Sequence, residues 1–270
     1  MQPYMLEHYL RILGVPKREP SLEALNELVQ AHLFRMPFEN ISKLYYKKKL
    51  GLRGIPGLDQ YLEGVERYHF GGTCYSNNYY LNQLLAALGY PVILCGADMS
   101  QPDVHMVSIV TLEQHEYLVD VGYGAPFLTP MRRDLAIDTV IELGHDRYVL
   151  KPQDERGFSR MEMNWDGALT HGYTVKPFPR QIGYFEQVIA ASFRPEATFM
   201  NALLVARFCP NRSTVVHNLA LVETDGAESS ARPLASLDEL AQVVQENFEI
   251  PVEVTLEAVE GLGELGNVWN

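Results

Sequence analysis

The sequence Gly71-Gly72-Thr73-Cys74-Tyr75-Ser76-Asn77-Asn78 places a cysteine between two glycines and a segment with helical periodicity. The free N–H groups and the dipole at the start of a helix stabilise a thiolate. Glycines permit a tight turn or the close approach of a ligand. The stretch therefore has two interpretations: Cys74 is either a nucleophile at a helix N-terminus or a small buried residue beside a loop.

A histidine and a carboxylate that could activate Cys74 follow it along the chain. His105 opens one β-rich run and Asp120 lies near the end of the next, with Glu113-Gln114 between the two runs. If Glu113-Gln114 forms a two-residue turn, His105 and Asp120 lie diagonally on one face, within reach of a hydrogen bond. A turn of another length would put them on opposite faces. The pattern permits a Cys-His-Asp triad, while Asp120 could instead cap the turn at Gly122.

The composition narrows the class of protein. Of 270 residues, 47% are hydrophobic and 21% charged, as is typical of a globular chain with a sizeable core. The net charge of −12 argues against a general nucleic-acid binder. Without a membrane-length apolar run or a signal peptide, we expect no membrane partner. Three cysteines without metal-binding spacing predict reduced thiols, a cytoplasmic location and no metal ion.

Hydrophobic periodicity divides the chain into three parts. Residues 1–90 are mainly helical, residues 91–190 are rich in short strands typical of a small barrel, and residues 191–270 mix both. We predict helices at 6–13, 21–33, 58–68, 75–88 and 181–191, and a late helix after the capping box at 236–239. We predict strands at 92–94, 106–110, 117–121, 139–150, 159–165, 172–176, 202–208 and 213–222, and a loop at 225–232.

Several separate segments agree with one known family. They are Pro37-Phe38-Glu39-Asn40-Ile41, the Gly-Gly-x-Cys motif with its following aromatic residue and asparagine, His105 before an apolar strand, Tyr117 to Gly124, and Ser192 to Arg207. In their order, spacing and identity, these segments resemble the arylamine N-acetyltransferases, also called N-hydroxyarylamine O-acetyltransferases. The resemblance covers roughly residues 5–210, far more of the chain than any single motif.

The resemblance implies an α+β fold with an N-terminal helical bundle (1–90), a central β-barrel (91–190), a C-terminal α/β lid (191–270) and a papain/transglutaminase-like Cys-His-Asp core. It implies that Cys74 is the acylated nucleophile, His105 its general base and Asp120 the orienting carboxylate of a catalytic triad. Phe38 and Tyr123 match positions that line the acceptor pocket. In this family, acetyl-CoA, as co-substrate, acetylates the cysteine, and an arylamine, arylhydrazine or N-hydroxyarylamine then attacks the thioester intermediate.

Two positions depart from the family's pattern. The family usually has arginine immediately before Gly-Gly, where this chain has Phe70, and often has glutamate at the position of Ser76. Glu39 would commonly pair with that arginine. We therefore expect one of three outcomes: Arg67 replaces the missing cation, Glu39 is solvated, or the site is rearranged.

Other functions use the same three residue types. A transglutaminase-like or papain-like cysteine hydrolase or transamidase, an amide synthase of the same fold and a catalytically weak binding homologue all fit a Cys-His-Asp pattern. The segment Pro37 to Asn40 and the aromatic pocket positions favour the transferase. Five basic residues could meet the phosphates of coenzyme A, although solvation is the commoner role of each: Arg132, Arg133, Lys176, Arg180 and Arg207.

Overall fold

The structure, a computed structural model, describes residues 1–260, 262, 263 and 265. In that part of the chain the helices are α1 Pro3–Leu13, α2 Leu22–Arg35, α3 Ile41–Leu50, α4 Leu58–Tyr68, α5 Cys74–Ala87, α6 Glu186–Ala191, α7 Leu237–Phe248 and α8 Val252–Val259. The strands are β1 Phe38–Glu39, β2 Val92–Asp98, β3 His105–Leu112, β4 His115–Val119, β5 Met131–Arg132, β6 Thr139–Leu143, β7 Asp146–Leu150, β8 Ser159–Trp165, β9 Ala168–Val175, β10 Leu204–Cys209, β11 Arg212–His217, β12 Ala220–Asp225 and β13 Glu228–Pro233.

The predicted N-terminal helices form where their end signals lie. α1 ends at Gly14, which adopts a left-handed conformation, and α2 begins after Ser21, whose Oγ accepts a hydrogen bond from the N–H of Ala24 at 3.1 Å. The leucine faces of α1, α2, α4 and α5 bury one another in a shared apolar core. α3 was not predicted, because it carries little apolar periodicity and ends in three consecutive lysines.

The middle of the chain forms one antiparallel sheet in the order β5-β4-β3-β2-β9-β8-β7-β6, which curls into a nearly closed barrel-like shape. Glu113 and Gln114 both have positive φ, and Leu112 pairs with His115, so of the turn lengths that the sequence left open the two-residue turn forms between β3 and β4. This register keeps His105 and Asp120 on the same side of the hairpin.

The second sheet has the order β1-β10-β11-β12-β13 and combines distant parts of the sequence. Strand β1 pairs with β10, so that Phe38 lies opposite Ala206 and Glu39 opposite Val205. Strand β13 occupies most of 225–232, so the loop prediction there was wrong. All residues of β13 are exposed, and such a strand lacks the apolar alternation that marks a half-buried one.

Helices α7 and α8 pack against each other, and α8 also packs against α3. α7 begins after Ser236, whose Oγ accepts from the N–H of Glu239 at 3.1 Å, as the capping box predicts. In the described part of the chain, no helix is both long enough and apolar enough to cross a membrane.

The segment Pro37 to Asn40 connects the helical region to the second sheet and to the cysteine loop. Besides the β1–β10 pairing, the N–H of Glu39 donates to the carbonyl of Gly72 at 3.1 Å. The side chain of Asn40 donates to the carbonyl of Ala202 at 2.7 Å and accepts from the N–H of Leu204 at 2.9 Å. The three-domain division stays a prediction, and residues 261, 264 and 266–270 of its last unit lie outside the described residues.

Candidate active site

Cys74 is the first residue of α5, and it is 9% exposed. A Cβ on Gly71 would lie 1.9 Å from the carbonyl oxygen of Pro37, so only glycine allows the loop before the helix to pass so close to the segment Pro37 to Asn40. The cysteine therefore sits at the positive end of the α5 dipole, next to N–H groups that have no partner within the helix.

His105 joins Cys74 to Asp120. Its Nε2 lies 2.8 Å from Oδ2 of Asp120, and electrostatic interaction with Cys74 helps to raise the pKa of the imidazole. Because Nε2 faces the carboxylate, Nδ1 is the ring nitrogen left for the sulfur. His105 begins β3 and Asp120 directly follows β4, so the hairpin register brings these two residues together, and the packing of α5 against β3 adds Cys74.

The shifted pKa values of His105 and Asp120 favour an ion pair between these two residues. Burial lowers the pKa of His105, but Asp120 and the interactions with Cys74 outweigh it, and the pKa is raised above its ordinary value. Burial raises the pKa of Asp120, but His105 and hydrogen bonds from neighbouring side chains outweigh that effect, and the pKa is lowered. Both directions favour an imidazolium beside a carboxylate, and an imidazolium in turn stabilises a thiolate.

Asp120 is buried among hydrogen-bond donors. Besides the bond with His105, Oδ2 accepts from the hydroxyl of Tyr173 at 2.7 Å, and Oδ1 accepts from Nδ2 of Asn78 at 2.8 Å and from the N–H of Gly122 at 3.0 Å. A carboxylate with this many donors keeps its charge without water and in a fixed orientation. Asp120 therefore has the partners that a buried carboxylate requires.

Asn78 and Tyr173 support the site, but the sequence analysis gave neither a role. Asn78 lies four residues after Cys74 and hence on the same side of α5, a signal that could have identified it. Its Oδ1 accepts from the N–H of Val121 at 2.8 Å, and its Nδ2 also donates to the carbonyl of Met106 at 2.7 Å. Tyr173 comes from β9, and no sequence signal links it to Asp120.

Gly122 lets the loop after β4 lie directly on Cys74. A Cβ at this position would lie 2.6 Å from Cα of Cys74 and 2.7 Å from Nδ2 of Asn78. Any side chain would push α5 away from the loop that carries Asp120 and Tyr123.

A cleft of about 560 Å³ opens over Cys74 and His105, and both predicted substrate-binding residues line it. Phe38 makes an edge contact with Phe199, with ring centroids 5.6 Å apart. The ring of Tyr123 lies edge-on to that of His105, with centroids 5.8 Å apart, and its hydroxyl hydrogen-bonds with Nδ1 of His171 at 2.7 Å. We refer to Cys74, His105 and Asp120 as the reactive cluster. The cleft thus combines aromatic surfaces with two of its members, Cys74 and His105.

Of the three outcomes expected for Glu39, the structure contradicts two: Arg67 does not replace the missing cation, and Glu39 is not solvated. Glu39 is fully buried, and its carboxylate accepts from the N–H groups of Ser42 at 2.7 Å and Gly71 at 3.2 Å. Burial raises its pKa to about 7, although these N–H groups oppose the rise. Arg67 is exposed and pairs with Glu63 at 3.6 Å instead.

Phe70 fills the position of the family's arginine with an aromatic cluster. Its ring contacts those of Tyr45, Tyr46 and Tyr68 at centroid distances of 5.8, 5.7 and 5.1 Å. Glu39 is therefore balanced by the backbone at the start of α3 and not by a side-chain cation.

The basic residues considered for coenzyme A have other partners. Arg133 binds Glu116, Arg132 binds Asp134, Lys176 binds both Asp98 and Asp103, Arg207 binds the carbonyls of Asn247 and Phe248, and Arg180 lies over the ring of Tyr184. Among the described residues that line the cleft, the lysine and arginine are Lys43 and Arg194.

Comparisons with known proteins identify the family of this chain. A family model described as N-acetyltransferase matches residues 21–257. The arylamine N-acetyltransferase of Mycolicibacterium smegmatis is 28% identical over 257 residues, 85% of this chain and 88% of that protein. A pineal gland isozyme of arylamine N-acetyltransferase from Gallus gallus is 32% identical over 130 residues, 45% of this chain and 43% of that protein.

The fold agrees as well. The structure of the Mycobacterium marinum arylamine N-acetyltransferase in complex with CoA superposes with a TM-score of 0.76 at 23% identity, over 98% of this chain and 97% of that one. With the family model matching most of the chain, the conclusion is that this protein belongs to the arylamine N-acetyltransferase family of acyltransferases.

Proposed function

We propose that the protein transfers an acetyl group from acetyl-CoA to an arylamine, arylhydrazine or N-hydroxyarylamine in a ping-pong reaction through a thioester on Cys74. The observation that carries the proposal is the position of His105. It hydrogen-bonds with the Asp120 carboxylate at 2.8 Å, its pKa is raised in part by Cys74, and it lines the same cleft as Cys74.

Each residue has a separate role in the proposed reaction. His105 takes the thiol proton, and the Cys74 thiolate attacks the acetyl carbonyl of the donor. A new C–S bond forms, the C–S bond to coenzyme A breaks, and His105 returns the proton to the departing thiolate. In the second half, the acceptor amine attacks the thioester, loses its proton to His105 and releases the Cys74 thiolate. Asp120 orients His105 and stabilises its charged form throughout.

The aromatic surfaces of the cleft fit the proposed acceptors. Phe38, Phe199 and Tyr123 can hold a flat ring by edge and face contacts while its amino group reaches the thioester. An aromatic amine is weakly basic and enters as a neutral molecule, so it requires no carboxylate for its recognition.

The donor is proposed from the family. The Mycobacterium marinum relative was solved in complex with CoA, and we propose that this chain uses acetyl-CoA in the same way, as co-substrate and without a metal. A charged donor in the cleft would meet the cations Lys43 and Arg194, which line it. A cytoplasmic location, where acetyl-CoA is available and thiols stay reduced, remains part of the proposal.

The decisive experiment is intact-mass spectrometry of the reduced protein mixed with acetyl-CoA alone. We expect one acetyl adduct, absent from Cys74→Ala and present in the matched control Cys209→Ala, because Cys209 lies in β10, outside the cluster. A reduced wild-type protein that forms no adduct would refute the acetyl-CoA-dependent transferase and leave the hydrolase, the amide synthase and the binding homologue.

A second measurement separates the transferase from a hydrolase. An arylamine added to the acetylated protein should remove the adduct and appear as the acetylated amine, much faster than the adduct decays in buffer. Decay at the same rate with and without the amine would favour the hydrolase.

A further inference from the structure

Lys43 is a buried cation beside the proposed nucleophile. It lies in the first turn of α3, is 9% exposed, and lines the same cleft as Cys74 and His105. Lysine is rarely buried unless its charge has a partner, because removing an ammonium ion from water costs free energy. A lysine in this position therefore calls for a specific explanation.

The ammonium group of Lys43 has neutral partners. Nζ donates to the carbonyl oxygen of Ser192 at 2.7 Å and to its Oγ at 2.9 Å, and it lies 4.3 Å from the ring centroid of Phe193. Across residues 1–260, 262, 263 and 265, no carboxylate lies within ion-pair distance of it. An ammonium has three N–H donors, so two bonds to Ser192 leave one donor for a ligand.

Lys43 keeps its charge under the conditions of the reaction. Burial lowers its pKa to about 8, while electrostatic attraction to Cys74 acts in the opposite direction. The other ionised cleft residues besides the reactive cluster, Arg194 and Glu196, are exposed. A ligand bound over Cys74 would thus meet Lys43 as a desolvated positive charge, whose hydrogen bonds are stronger than those of a solvated one.

The contacts of Lys43 with Ser192 and Phe193 hold segment 192–193 in place, but this structural role does not require a charged residue that lines the cleft. Lys47, one turn further along α3, also binds this segment: its Nζ donates to the carbonyl of Phe193 at 3.3 Å. Lys47 lines a different depression, together with Met200 and Asn201. The two lysines share the contact with segment 192–193, and they differ in that Lys43 also lines the cleft that contains Cys74.

We infer that Lys43 binds the free carboxylate of a dicarboxylic acyl group, so that the protein accepts malonyl-type and succinyl-type thioesters of coenzyme A as acyl donors. This inference rests on the proposed thioester on Cys74. It adds a subsite for the distal end of the acyl group, separate from the aromatic surface of Phe38 and Tyr123.

The chemistry at sulfur stays the same. The Cys74 thiolate attacks the thioester carbonyl of the donor, a C–S bond to Cys74 forms, the C–S bond to coenzyme A breaks, and the leaving thiolate takes a proton from His105. The distal carboxylate keeps its charge and accepts a hydrogen bond from Nζ of Lys43. Transfer to an amine then gives an amide that ends in a carboxylate, with the amine proton passing to the Cys74 thiolate through His105.

The test compares donors and variants. The rate constant kcat/KM for adduct formation on Cys74 is measured with malonyl-CoA, succinyl-CoA and acetyl-CoA for the wild type, Lys43→Met, Lys43→Arg and the matched control Lys47→Met. Loss of one charge-assisted hydrogen bond should lower the malonyl-to-acetyl ratio of Lys43→Met by roughly 10-fold to 100-fold. Lys43→Arg should keep most of the ratio, and Lys47→Met should keep all of it.

The possible results separate the two proposals. An unchanged ratio in Lys43→Met would show that Lys43 only fixes the segment 192–193, and so overturns the inference. A wild type that accepts acetyl-CoA but neither dicarboxylic donor also overturns it and leaves the proposed function intact. If no donor forms an adduct, the proposed function fails and the inference fails with it.

One comparison needs no variant and applies even if Lys43→Met does not fold. Free malonate should slow the acetylation of the wild type more than propionate does at equal ionic strength, because malonate can occupy the Lys43 subsite. Equal inhibition by the two acids would contradict the inference.

Discussion

Replacing Asn78 with alanine should destabilise the protein and loosen the orientation of Asp120. The Asn78 side chain is buried and makes three hydrogen bonds of 2.7–2.8 Å, to the carbonyl of Met106, the carboxylate of Asp120 and the N–H of Val121. Alanine provides none of them. The site around these groups is closed by protein, so their hydrogen-bonding capacity would stay unused.

The expected loss follows from the groups left behind. An unsatisfied buried backbone group costs about 1 kcal/mol and a buried carboxylate that loses one donor about 2 kcal/mol, so we expect a loss of about 4 kcal/mol in the free energy of unfolding. That is a large part of the roughly 5–15 kcal/mol by which proteins are stable. With a denaturant slope of about 3 kcal/mol/M, the urea midpoint should fall by roughly 1–2 M.

Asn82→Ala is the matched control. Asn82 lies one turn further along α5, is also buried, and donates one hydrogen bond, to Oγ of Ser108 at 3.0 Å. Its replacement should cost about 1 kcal/mol. The assay is urea unfolding of both variants and the wild type, followed by far-UV circular dichroism. Equal midpoints for Asn78→Ala and Asn82→Ala would refute the reasoning, because the loss of three buried hydrogen bonds would then cost no more stability than the loss of one.

Three further changes test the site. Asp120→Asn should slow formation of the acetyl adduct by roughly 10³-fold or more, measured by quenched-flow mass spectrometry, because the imidazolium of His105 loses its counter-charge. Gly122→Ala should slow the same step by roughly 100-fold, since its Cβ would displace Cys74; Gly54→Ala, which has open space around its Cβ, should not. The pKa of Glu39 is raised to about 7 on folding from 4.5, so stability falls as pH rises between these values. Relative to Glu39→Gln, the wild type should lose about 3 kcal/mol over that range in urea unfolding, and parallel pH curves would contradict this.

The hairpin was predictable because it depends on local spacing. Two polar residues, Glu113 and Gln114, between β-rich runs set the register of β3 against β4, and register alone decides that His105 and Asp120 share a face. A helix start after Gly71-Gly72 was equally local. The spacing did not predict that the hairpin and the start of the Cys74 helix would meet in space. That prediction came from the family resemblance.

Contacts between distant segments were not predictable. Tyr173 reaches Asp120 from β9, 53 residues further along the chain, and nothing in the sequence around either residue encodes that contact. Lys43 went unnoticed because α3 lacks the apolar periodicity that predicts a helix. α3 is stabilised by packing against α8, a helix that the sequence analysis also missed.

The fate of Glu39 shows the limit of reasoning from a missing partner. The absence of arginine at position 70 suggested a replacement cation, solvation or a rearranged site, and the carboxylate in fact accepts hydrogen bonds from two backbone N–H groups. Backbone donors are present in every sequence and leave no trace in its composition. Only the path of the chain, which brings Gly71 to Glu39, decides that they are available.

The pairing of β1 with β10 affects the order in which the enzyme becomes active during synthesis. Cys74, His105 and Asp120 all leave the ribosome before residue 204, yet Phe38 and Glu39, which pair with Gly72 beside the cysteine, have their sheet partners at Ala206 and Val205. Contacts of such sequence separation form late, because closing a long loop costs entropy first. A nascent chain that already carries these three residues therefore lacks β10, the sheet partner of Phe38 and Glu39, and the segment that contacts Gly72 beside Cys74 is fully paired only once the C-terminal sheet has been made.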